Sequence, residues 1–218
     1  MKTSKPKFLL PPKLFITGTG TGVGKTVVSA MLMAGTKGVY WKPVQSGLEE
    51  MTDTQWIQCA TGLSDEHFLP ETYKLRQPLS PHASAALDGV HINLEAFTPP
   101  QPEPSTCLVV EGAGGVLVPL NERHFMLDLI IQLGVPVLLV ASSQLGTINH
   151  TLLSLEKLRA SHLQVIGVVM NGPKNESNRQ AIEHFGQVPV LAQIEPLPRI
   201  DSTTLETLFT ENFALTQK

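Results

Sequence analysis

The 218 residues include 42% hydrophobic and 16% charged side chains, with a formal net charge of −3. This length suits one large domain or two small ones with a sizeable core, and the apolar content argues for buried strands over disordered tails. The charge offers no basic footprint for nucleic acid or a membrane surface, and no window approaches the ~20 apolar residues of a membrane span.

In chain order, "MKTSKPKFLLPPK" opens with Lys2, Lys5 and Lys7 around an apolar stretch of only Phe8 to Leu10. That is too short for the roughly 7–15 apolar residues of a secretion signal. Residues 1–12 read as a flexible leader to one domain spanning the chain. Apolar runs then recur at 13–17, 38–41, 107–111, 136–143, 165–171 and 188–192. Most are continuously apolar, as parallel strands covered on both faces require. Segments 24–35, 125–133, 147–161 and 176–185 fit helices; in the third, Ile148, Leu152 and Leu155 share a face. This alternation predicts an α/β fold, a doubly wound and mostly parallel β-sheet flanked by helices. The Pro-rich 98–107 reads as a surface loop. Cys59 and Cys107 lie outside any metal-ligand spacing and read as reduced core thiols of a cytoplasmic protein.

In such a fold ligands gather where strands end and helices begin. The first such place is "FITGTGTGVGKT" at 15–26. The phosphate-loop pattern G-x-x-x-x-G-K-[ST] asks for glycine five places before Gly24. Thr19 stands there instead, with the glycine one residue earlier at Gly18. Backbone N–H groups of a glycine-rich turn can face a phosphate, and the following helix N-terminus favours its charge. Lys25 is placed to reach terminal phosphates and the Thr26 hydroxyl to ligate magnesium.

The second place is "YWKPVQSG" at 40–47, where Lys42 leaves an apolar strand just before Pro43. It is either a solvated lysine or a phosphate or substrate contact. The third is "VVEGAGGVLVPL" at 109–120. Glu111 ends a buried strand, where an acid must be paired or bind a cation, as a metal-holding acid beside a phosphate loop does. Gly112, Ala113 and Gly114 after it permit close backbone approach to a ligand. Asp53 reads either as a helix-cap residue or as a further magnesium ligand.

Together these motifs resemble one family, dethiobiotin synthetase, an ATP-dependent enzyme of biotin synthesis on a P-loop NTPase fold. Its loop G-T-x-T-x-V-G-K-T is met by Gly18, Thr19, Thr21, Val23, Gly24, Lys25 and Thr26, so the displaced glycine belongs to a variant loop. Its K-P-V-x-S-G falls at Lys42 to Gly47, S-P-H at Ser80 to His82, and V-E-G-A-G-G at Val110 to Gly115. "LGTINH" at 145–150 and "VVMNG", ending in Asn171 and Gly172, match further motifs.

The resemblance implies closure of 7,8-diaminononanoate with CO2 and ATP into dethiobiotin, ADP and phosphate, with Mg2+ as cofactor. It implies Lys42 and Lys25 as catalytic residues and Thr26, Asp53 and Glu111 as metal ligands. ATP would meet Gly22, Val23, Gly24, Lys25 and Thr26, then Asp53, Glu111, Gly112, Ala113 and Gly114. At the base end it would meet Asn171, Gly172, Glu195, Pro196 and Leu197. Thr21, Ser46, Gly146, Thr147 and Asn149 would touch the diamine, near the boundary of a homodimer. The chain departs from the family at Gly22, where many relatives carry an acid, at Gly172 after Asn171, and in "QIEPLP". The rival is a partitioning-type or sensory ATPase switch on the same fold. Partitioning ATPases carry a signature lysine four places before the last loop glycine, and that position here is Gly20.

Overall fold

The computed structural model describes residues 7–98, 103 and 106–215. The chain begins with β1 (Phe8–Leu10), β2 (Lys13–Gly18), α1 (Lys25–Thr36), β3 (Val39–Trp41), β4 (Val44–Ser46) and α2 (Asp53–Thr61). Next come β5 (Phe68–Leu69), β6 (Tyr73–Leu75), α3 (Pro81–Asp88), β7 (Leu108–Gly115), α4 (Met126–Leu133) and β8 (Val137–Ser142). It closes with α5 (Thr147–Ala160), β9 (Val165–Asn171), α6 (Glu176–Gly186), β10 (Val190–Ile194), α7 (Ser202–Asn212) and β11 (Phe213–Leu215).

Among the described residues, seven strands form one sheet in the order β10-β9-β8-β2-β7-β3-β5, every pair parallel. The chain runs from β2 toward β3 on one side and, after β7, continues to β8 on the other. The reversal puts the carboxyl end of β2 where ligands bind in open α/β sheets.

Both faces of the sheet are covered, which is why its strands are apolar without interruption. In β2, Leu14 and Ile16 join one core with Val28, Met31 and Leu32 of α1, while Phe15 joins another with Leu129 and Ile130 of α4. β8 alternates likewise: Leu138 and Val140 belong to the α1 side, Leu139 and Ala141 to a third core with Leu155 and Ile182. The doubly wound architecture expected from the sequence is therefore present.

Two expectations need correction. Over its described part the leader forms a strand: Phe8–Leu10 pair in parallel with Phe213–Leu215, and Leu10 is buried. A three-residue strand carries too little pattern to be read, and its partner lies some 200 residues away. Cys107 is a buried free thiol whose pKa burial pushes up to about 11 against a Thr36 hydrogen bond, but Cys59 is exposed on α2 and is no core residue. Most of the Pro-rich loop expected at 98–107 lies outside the described residues.

Candidate active site

The phosphate loop joins β2 to α1, and its last glycine is demanded twice. Gly24 has φ +97°, and a Cβ there would lie 2.1 Å from Nδ2 of Asn171 at the end of β9. Helix α1 begins directly after it with no acidic residue in its first turn, so its unpaired N–H groups keep their attraction for an anion. Lys25 is buried over the loop and donates to the Gly20 carbonyl at 3.1 Å.

Four side chains from four segments converge beside that loop. Glu111, in β7, is fully buried. Its Oε1 accepts from Thr26 Oγ1 at 3.2 Å and from Lys42 Nζ at 3.0 Å. Thr26 Oγ1 also lies 3.0 Å from Asp53 Oδ1, and Asp53 forms a close ion pair with Lys42. Asp53 is the first residue of α2, while the cap itself is Thr52, whose hydroxyl accepts from Gln55 N. The cap alternative for Asp53 therefore falls away.

The electrostatics follow from burial and proximity. Burial works against the charged form of Lys42, but Glu111 and Asp53 outweigh it and raise its pKa above the ordinary lysine value. Asp53 is held below the usual carboxylate range: burial opposes ionisation, and the Lys42 charge overrides it. Lys25 moves the other way, down to about 8, because burial and the Lys42 charge exceed the attraction of Glu111 and Asp53.

These groups floor a cleft of about 780 Å³. Of the residues expected to act, Thr21, Gly22, Gly24, Lys25 and Thr26 line it on the loop side. Lys42, Ser46, Asp53, Glu111, Ala113 and Gly114 line the rest, facing Ser80 and Pro81. Gly112 and Val23 do not line it: a Cβ on Gly112 would meet the Phe15 ring at 2.8 Å, and Val23 packs into the core. Gly112 serves packing behind Glu111. Asn171 abuts Gly24 from the β9 side, and Gly172 N–H bonds the Ile194 carbonyl at 2.8 Å, so the ends of β9 and β10 lie side by side. Glu195, just after β10, borders a different hollow with Lys174 and Gln193, and 195–197 do not line the cleft.

The α5 residues lie apart from the cleft. Thr147 is buried with its hydroxyl donated to the Ser142 carbonyl, and Gly146 and Asn149 are exposed. A second hollow of about 330 Å³ links the two regions: Thr21 borders both, and His150, Leu153 and Lys157 of α5 form its far side.

Three site residues escaped sequence reasoning. Ser29 and Tyr40 donate to Glu111 Oε2, and Gln45 bridges the Asp53 N–H and the Ser46 carbonyl. Their spacing carried a signal. Ser29 follows Thr26 by three residues on a helix, and Tyr40 precedes Lys42 by two, so each pair shares a side.

Among the described residues no group of three or more His, Cys, Asp or Glu is assembled to hold a metal. Two carboxylates and one hydroxyl nevertheless suit Mg2+, a hard cation that keeps several waters and takes one or two carboxylates together with phosphate oxygens. Thr26, Asp53 and Glu111 would hold it.

Comparison with known proteins adds the family. An AAA domain family model matches residues 12–204. The chain is 48% identical to the ATP-dependent dethiobiotin synthetase BioD of Paramagnetospirillum magneticum, over 88% of this chain and 92% of that protein. It is 46% identical to the BioD of Brucella melitensis biotype 2, over 92% and 94%. It is also 50% identical to the biotin biosynthesis bifunctional protein BioCD of Bordetella avium, over 90% of this chain but 42% of that longer protein. Among solved structures, the MinC:MinD cell division complex of Aquifex aeolicus matches with TM-score 0.55 at 12% identity, covering 92% of this chain and 93% of that one. A ParA family ATPase of Chlorobium tepidum matches with TM-score 0.52 at 10% identity, covering 93% and 91%. These two likenesses concern the P-loop NTPase fold alone. The sequence relatives go further, and the chain belongs to the ATP-dependent dethiobiotin synthetase family.

Proposed function

We propose that this enzyme joins 7,8-diaminononanoate, CO2 and ATP into dethiobiotin, ADP and phosphate, with Mg2+ as cofactor. The observation that carries the reading is the buried meeting of Lys42, Asp53, Glu111 and Thr26 beside the phosphate loop. Ser46 adds support: its buried hydroxyl borders the cleft and has no hydrogen-bond partner among the described residues, as a group kept for a substrate should.

A neutral amine of the substrate captures CO2 and releases a proton, giving a carbamate. The carbamate oxygen attacks the γ-phosphorus of ATP, the bond to the bridging oxygen breaks, and ADP leaves. The second amine then attacks the carbamoyl carbon, closes a five-membered urea ring and expels phosphate. Lys25 and Lys42 set positive charge along one wall, where negative charge spreads over the transferring group. When bound, Mg2+ supplies further neutralisation of the phosphate oxygens. Ring closure is intramolecular and gains from effective molarities of ~10⁵–10⁸ M for well-oriented groups. The Thr21 and Ser46 sides of the cleft orient the diamine, and Gly146, Thr147 and Asn149 belong to its tail end across a homodimer boundary. The two free cysteines suit a cytoplasmic setting.

The rival switch would use water as phosphoryl acceptor, and the order of steps separates the two. No acceptor oxygen exists until CO2 has joined the amine. ADP release should be slow in CO2-depleted buffer even with saturating diamine. It should rise with bicarbonate and yield one cyclic urea per ADP. Equal ADP release without diamine and CO2 would assign the chain to the switch class.

A further inference from the structure

We infer that Tyr40 and Ser29 are positioning residues for this reaction: their hydroxyls hold one oxygen of Glu111 and so present the other to the cleft. The inference rests on Glu111 being a metal ligand, and its test separates the two claims.

The two oxygens of Glu111 serve different partners. Oε1 faces the cleft, with Thr26 Oγ1 at 3.2 Å and Lys42 Nζ at 3.0 Å. Oε2 faces inward and accepts from Ser29 Oγ and from Tyr40 OH, the latter at 3.1 Å. A glutamate carries three side-chain torsions, the last broad and weakly defined. Backbone rigidity in β7 therefore does not fix the plane of its carboxylate. Two donors from different elements do. α1 supplies Thr26 to one oxygen and Ser29, nearly one turn on, to the other, while β3 brings Tyr40 from the side.

Both hydroxyls are carried by fully buried residues. Ser29 and Tyr40 are each 0% exposed, and the Tyr40 ring packs edge-on against Phe68 at 6.1 Å. Packing alone would accept alanine and phenylalanine at these positions; the hydroxyls are what the carboxylate uses. The consequence is chemical. Magnesium demands near-ideal octahedral geometry, and a carboxylate free to swing meets that demand poorly. Groups that orient metal ligands are typically worth 10–100-fold in metal affinity or activity.

The test measures ADP affinity by titration calorimetry, once with Mn2+ and once with EDTA. The ratio of the two is the metal-dependent gain. In Tyr40→Phe and Ser29→Ala this gain should fall roughly tenfold or more relative to wild type. Affinity in EDTA should stay within about twofold, and the KM for diamine should not move while the Mg2+ needed for half-maximal turnover rises. Glu111→Gln is the reference. If it loses the gain while both hydroxyl variants keep it, the metal reading stands and the positioning role is wrong. If Glu111→Gln itself keeps the gain, both claims fall together. If the hydroxyl variants lose ADP affinity equally with metal and with EDTA, the hydroxyls serve only the fold, which also overturns the inference.

Discussion

At the residue scale the lysine pair carries opposite electrostatic assignments. Lys42 is 3% exposed and neutralised by two carboxylates, so Lys42→Ala strands Asp53 and Glu111 beside each other. Breaking a buried pair from one side costs about 3–5 kcal/mol. The metal-free variant should therefore melt earlier, and Mg2+ should restore part of the loss. Turnover should fall by roughly two to three orders of magnitude, the scale of losing one transition-state contact, while ATP binding through the loop persists. Loss of ATP binding with unchanged turnover at saturation would reverse the assignment. For Lys25, the folded value of about 8 lies below the ordinary lysine value of 10.5. Below about pH 8 both states are protonated and the burial penalty is complete. Between about 8 and 10.5 the unfolded chain binds more protons, so the nucleotide-free protein gains stability as pH rises. Lys25→Met should flatten that rise in denaturant titrations at pH 7.5 and 9.5, and an unchanged slope would show that another group produces it. Lys25, Thr26, Lys42 and Glu111 were legible because each stands beside glycines or a strand end where a charge needs a reason. Ser29, Tyr40 and Gln45 went unread: spacing set Ser29 on the Thr26 side and Tyr40 on the Lys42 side, but a serine in a helix and a tyrosine in a strand are ordinary and the hint was faint. Only the register of Tyr40 against Val109 and of Trp41 against Val110 brings the phenol to Glu111.

At the element scale, legibility followed burial. β2, β7, β8 and β9 are covered on both faces and announce themselves as apolar runs. Helices α2, α3 and α7 passed unread: α2 buries Ile57 with Thr61, α7 Leu205 with Phe209 and α3 Pro81, Ser84 and Ala85, mixtures without a clear aliphatic stripe. Helix α6 buries as few but stands out against a strongly polar remainder. The packing of α7 nevertheless makes a sharp demand on α1. A Cβ on Gly35 would lie 2.0 Å from the Phe209 ring, although its backbone is ordinary helix. Replacing a glycine inside a helix by alanine stabilises by up to roughly 0.5–1 kcal/mol, less in a last turn such as that of Gly35. Here overpacking, typically about 1–3 kcal/mol, should win. Gly35→Ala should lower the melting temperature, and Phe209→Leu in the same chain should recover part of it. A Gly35→Ala protein that melts later than wild type would mean that α7 gives way freely.

At the scale of the whole molecule, the second hollow bears on how the site is completed. Leu117 (51% exposed) and Leu153 (56%) border it, and Leu145, just before α5, is fully exposed. Large apolar side chains left in water beside a functional loop mark a surface with desolvation unfinished. A second copy of the chain would finish it, since an isologous pairing lets the same patch cover itself. Stable pairs bury about 800 Å² per partner, more than this hollow alone supplies, so such a pairing would have to spread along α5 and the loop after β7. The chain should sediment as a dimer at micromolar concentration. Leu145→Glu with Leu153→Glu should give a folded monomer, because charged residues are depleted from interface cores. Thr21 borders both the cleft and this hollow, so the same variant should raise the KM for diamine far more than that for ATP. A double variant that still sediments as a dimer with both constants unchanged would move the interface elsewhere and leave the 145–150 segment without its assigned part in substrate binding.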